Sequence, residues 1–139
     1  MNILEKIVAK KALKSSLERL SESEKIAWDV IQLKFNFHPE QGLKFFIMNG
    51  EDVLREEDIY VILELSKENE MHKGIISRVE TKLSSAINKT AQADEVLVTE
   101  LDARFCLAHD NKKRVVLSMD LFFQNEWASE LNIDEYFSK

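Results

Sequence analysis

The sequence predicts an α+β fold that is predominantly α. About five helices are expected over residues 1–90, followed by a small β-hairpin and a C-terminal helix, with an all-α chain as the alternative. Three observations point there. Glycine and proline together supply only 4 of 139 residues, too few for the many tight turns of a sandwich or barrel. Apolar residues make up 45% of the chain, enough for a globular core. Apolar residues also recur at helical spacing as far as Lys89. No linker, repeat or low-complexity tract breaks the sequence, so residues 1–139 read as a single domain, long enough to bury about two thirds of its unfolded surface.

The first helix is expected over about Asn2 to Leu20, where Ile3, Ile7, Leu13, Leu17 and Leu20 form a stripe with lysines on the other face. Ser21-Glu22-Ser23-Glu24 has capping-box spacing, and Ile26, Val30, Leu33 and Phe37 extend a second helix antiparallel to the first. Pro39 and Glu40 suit the opening turn of a third. It would carry Leu43, Phe46 and Ile47 on one face and end at Asn49-Gly50. A hairpin turning at Asn49-Gly50 competes, but Glu51 to Asp58 offers it no alternating partner strand.

Glu56, Glu57 and Asp58 fit the acidic start of a fourth helix, closed near Lys67, with Ile59, Ile62 and Leu63 on one face. A buried strand is the alternative there. Residues 70–89 show the clearest helical pattern, through Met71, Ile75, Val79, Leu83 and Ala86. Leu97, Leu101, Ala103, Phe105 and Leu107 fall on alternate positions, His109 to Lys113 is a polar turn, and Arg114 to Ser118 favours a strand. A hairpin over 103–118 follows, although Leu97, Leu101, Phe105 and Ala108 also fit a helix. Phe123, Trp127 and Leu131 mark a last helix beginning at Asp120.

The search for chemistry excludes more than it finds. His38, His72 and His109 stand apart and Cys106 is the lone cysteine, so no metal-ligand spacing exists and no intrachain disulfide can form. On a strand, Cys106 and His109 point to opposite faces. Three scattered glycines build no phosphate loop, and no Gly-x-Ser-x-Gly elbow is present. Glu80-Thr81-Lys82 mimics a nuclease triplet but sits on the clearest helix. Glu64 interrupts an apolar run and would titrate high if buried; the plainer reading puts it on the helix's exposed strip. No catalytic residue, cofactor or metal site is expected.

Charge is more informative. Five cations face two acids in residues 1–20, a net of +3, which leaves −9 on the rest of a chain whose total is −6. Such a body repels phosphate backbones, so nucleic acid is not an expected partner. No run of 18 apolar residues spans a membrane, the N-terminus lacks a signal-peptide core, and the expected setting is cytoplasmic. Two acidic groups stand out: Glu51, Asp52, Glu56, Glu57 and Asp58, and then Glu126, Glu130, Asp134 and Glu135 around Trp127 and Tyr136. Acids interleaved with aromatics suit an interface to a basic protein, charge steering the encounter and aromatics anchoring it; the plainer reading is a solvated helix rim with the aromatics turned inward to the core. The expectation is a non-enzymatic protein-binding domain, of the kind found in inhibitors, immunity proteins or chaperone-like adaptors. The alternatives are a small hydrolase-type enzyme using dispersed carboxylates with Glu64 or His109, and a structural component able to form homo-oligomers.

Overall fold

Alternation, not helical spacing, governs residues 31–57 and 101–131. A computed structural model describes residues 3–38, 40–123 and 126–131. In order, it contains α1 (Ile3–Ser23), β1 (Ile31–His38), β2 (Gly42–Asn49), β3 (Asp52–Glu57), α2 (Ile59–Leu63), α3 (Glu70–Asp94), a 3-10 turn (Val98–Glu100), β4 (Leu101–His109), β5 (Val115–Phe123) and β6 (Glu126–Leu131). The strands form one antiparallel six-stranded sheet in the order β3-β2-β1-β4-β5-β6. A predominantly helical fold with five helices is therefore incorrect: the described residues hold three α-helices beside a sheet.

The topology is two three-stranded meanders, each preceded by a long helix, joined where β1 pairs antiparallel with β4. Ile31, Leu33 and Phe35 of β1, Phe45 and Ile47 of β2, and Leu101, Ala103, Phe105 and Leu107 of β4 share one sheet face. They form a single core with Leu13, Leu17 and Leu20 of α1, Ile59, Ile62 and Leu63 of α2, and Ile75, Val79, Leu83 and Ile87 of α3.

Each departure from the helical expectation has a physical cause. Ile31, Leu33, Phe35 and Phe37 alternate as well as Ile26, Val30, Leu33 and Phe37 step helically. The aromatic content, with partners on both sides, decides for the strand. The dense apolar run of β2 fits neither period because it is covered on both faces: Phe45 and Ile47 enter the core, while Met48 is buried on the other side. The hairpin at Asn49-Gly50 forms after all. Asn49 pairs with Asp52, and Gly50 at φ +60 followed by a negative φ at Glu51 gives the II′ pattern suited to strand twist. β3 needs no alternation, being an exposed edge with a bulge at Leu54, where the register slips between Ile47 and Met48. The expected capping box is absent too: α1 runs on to Ser23, and Ser21 Oγ donates to the Ile26 carbonyl. The expected helix from Asp120 is strand, Asp120 lying in β5 and Trp127 in β6.

Other expectations agree with the fold. The hairpin over 103–118 is β4–β5, closed by Asp110, whose carboxylate accepts the Lys112 and Arg114 amides at 2.8 and 2.9 Å. The helix over 70–89 is α3, extended to Asp94, with Asn69 capping the His72 amide at 3.1 Å. Its buried stripe excludes Met71, which is half exposed. α3 ends on Glu95 at φ 55, a left-handed cap that an L side chain occupies at a cost. Glu95→Gly should raise stability by about 0.5–1 kcal/mol, the relief of that strain less the added freedom of the unfolded chain. Urea denaturation at pH 7 would read this as a higher midpoint at constant slope.

Candidate binding cleft

A cleft of about 530 Å³ opens where β2 and the end of β3 meet α2 and α3. Strand register places its residues: Phe45 pairs with Glu57 on the core face, and Phe46 with Glu56 on the other. The chain then turns into α2 at Asp58, which has extended φ/ψ and caps the helix through Oδ1, 2.8 Å from the Tyr60 amide. Glu57 Oε1 accepts the Asp58 amide at 3.1 Å. α3 crosses alongside and brings Glu80 to the same wall. Four acidic residues, Glu56, Glu57, Asp58 and Glu80, contribute to the lining of this concavity with Tyr60, Lys44 and Lys67. Adjacent on a strand, Glu56 and Glu57 point to opposite faces, Glu56 toward Lys44 and Glu57 toward Arg55, each at 3.6 Å.

Their electrostatics differ. Lys67 Nζ lies 2.9 Å from Asp58 Oδ2 and 5.6 Å from the centre of the Tyr60 ring. The Lys67 bond, supported by the Tyr60 and Val61 amides, holds the Asp58 carboxyl below its ordinary range, and the same pairing raises the Lys67 ammonium. Lys44 sits 3.6 Å from Glu56. Glu80 goes the other way: burial first, and then the neighbouring Asp58 charge, push its carboxyl up.

The predicted site residues part company in the fold. Glu56, Glu57 and Asp58 each contribute to the cleft lining. Asp52 lies at the far end of β3, five residues and roughly 16 Å away at strand rise. Glu51, in the β2–β3 turn, reaches across to Arg104 at 3.6 Å. Glu126, Trp127 and Glu130 belong to β6, at the opposite edge of the sheet, roughly 24 Å from β3 over five strand spacings. Asp134, Glu135 and Tyr136 lie outside the described residues. The described members of the two acidic groups therefore lie on strands at opposite edges of the sheet.

Glu64 and His109 do not line the cleft. Glu64 is exposed in a left-handed cap after α2, paired with Arg19 at 2.9 Å. His109 packs at a tilt against Trp28, with centroids 4.5 Å apart. His72 Nδ1 accepts the Ser66 amide at 2.9 Å, a local turn contact. Among the described residues no group of three His, Cys, Asp or Glu side chains could hold a metal ion, and no helix is long and apolar enough to cross a membrane.

Sequence reasoning missed Glu80 and Lys67 as cleft residues, since nothing in the spacing links positions 58, 67 and 80. It also missed a buried ion pair on the other sheet face. Arg104, with a side chain 4% exposed, lies 3.3 Å from Asp102 and stacks on Phe122 with its guanidinium carbon 4.0 Å from the ring centre. Burial pushes the Asp102 carboxyl up, against the opposing pull of Arg104 and Lys34. The clue was available: positions 102 and 104 share the face opposite the apolar alternation of β4.

No family model, curated protein or solved structure matches the chain.

Proposed function

We propose that this is a non-enzymatic protein-binding domain of the cytoplasm that engages a basic segment of a partner protein through the β2–β3–α2–α3 cleft. The observation that supports this reading is a concavity lined by acidic residues from a strand, a helix cap and a second helix, in which Asp58 already holds an ammonium over the Tyr60 ring. Preorganised carboxylates next to a ring face suit a lysine or arginine side chain, through charge-assisted hydrogen bonds and cation–π attraction. The net charge of −6 would steer such a partner inward. A chain with one cysteine agrees with a reducing compartment.

Self-association through the β3 edge is a poorer reading. An antiparallel pairing of Asp52-Val53-Leu54-Arg55-Glu56-Glu57 with its own copy, centred between Leu54 and Arg55, sets Asp52 against Glu57; centred on Arg55 it sets arginine against arginine. Like charges directly opposed destabilise a strand pair, and a short, charged, bulged edge is how proteins discourage such pairing.

Titration with a capped hexa-arginine peptide, followed by fluorescence anisotropy at low salt, tests the reading. Glu56→Lys with Glu57→Lys should weaken binding about tenfold, the sum of two reversed surface charges. Glu126→Lys with Glu130→Lys, on the far edge, should change it little. Equal losses from both pairs, or none from the cleft pair, would refute the site. Because the Glu80 carboxyl is pushed up, the cleft should begin to lose charge, and affinity, at a pH above the usual glutamate range as acid is added.

A further inference from the structure

We infer that Lys67 is a tethered competitor for the cleft: the chain's own ammonium occupies the cation position in the free protein, and a partner's basic side chain takes that position by displacing it. The inference rests on the reading of the cleft as the partner site. The Lys67 ammonium is held as an incoming cation would be, 2.9 Å from Asp58 Oδ2 and over the Tyr60 ring. A carboxylate and a ring face are the groups that hold a guanidinium or ammonium from another chain.

Lys67 is also easily released. It lies in the link between α2 and α3, its side chain is 64% exposed, and exposed pairs of this kind are weak. Asp58 does not depend on it for position. Oδ1 remains bound to the Tyr60 amide, and Glu57 still accepts the Asp58 amide. Withdrawal of Lys67 therefore leaves the Asp58 carboxylate still held by its cap, on a residue that lines the cleft.

The capped hexa-arginine peptide again serves as probe, titrated against the full chain at low salt. Lys67→Gln should bind about two- to fivefold tighter than the parent, the range set by an exposed ion pair. Lys67→Arg keeps the competitor and should stay within about twofold of the parent. Lys112→Gln, in the β4–β5 turn and outside the cleft, controls for the change in net charge and should gain little. Equal or weaker binding by Lys67→Gln overturns the inference while leaving the cleft reading intact, and so does an equal gain in Lys112→Gln. No binding by the parent or by Lys67→Gln defeats both.

Discussion

Arg104→Ala is expected to destabilise the protein by about 3–5 kcal/mol, the usual loss when one member of a buried ion pair is removed. The side chains of Arg104 and Asp102 are 4% and 12% exposed, so removing the guanidinium strands a carboxylate that burial already pushes up. It also strips the Phe122 ring of its cation. The pH dependence has a definite sign. A carboxyl whose folded pKa exceeds its unfolded value contributes stability below the unfolded pKa, near 3.9, and loses that contribution as pH rises through the folded pKa. Without Arg104 the folded value moves further up, so the deficit of the variant should be larger at pH 7 than near pH 4. Replacing both partners, Arg104→Met with Asp102→Ala, should recover most of the loss, because no charge is left buried. Urea denaturation at the two pH values checks both statements. A deficit independent of pH, or a double variant no better than Arg104→Ala, would contradict the account.

What the sequence made legible follows from which side chains had a choice. α3 was readable because Ile75, Val79, Leu83 and Ile87 fit a helix and nothing else. β4 was readable because Leu101, Ala103, Phe105 and Leu107 alternate beside a polar turn. The misreadings fall where two periods coincide, as at Leu33 and Phe37, or where both strand faces are covered, as at Phe45, Ile47 and Met48. In such segments the partners decide, and the partner of β1 is β4, some 70 residues away in sequence. The cleft was legible only in part for the same reason. Glu56, Glu57 and Asp58 are adjacent in the chain, whereas Glu80 arrives through the packing of α3, which local spacing does not encode. The second acidic group was visible as composition but not as geometry, and β6 carries its described members to the far edge.

The dependence of the fold on long-range pairing makes Phe35 a sensitive core position. Phe35 is 1% exposed at the centre of β1, its ring 5.8 Å from Phe45 on β2 and 5.3 Å from Phe105 on β4. Those three rings bridge the β1–β4 pairing at which the two meanders join. Phe35→Ala should cost about 3–5 kcal/mol through lost burial and the cavity left behind, including two aromatic contacts worth about 0.5–1.5 kcal/mol each. Against a typical total of about 5–15 kcal/mol, that is a large share of the stability. Phe37→Ala, two residues along the same strand face but half-buried, should cost clearly less because its site is already partly open to water. The shape of the transition carries further information. If the rings couple the meanders, Phe35→Ala should lower the urea slope or split fluorescence from circular dichroism, signs that the halves no longer unfold together. A cost no greater than that of Phe37→Ala would mean that backbone pairing, rather than this aromatic bridge, holds the two halves in register.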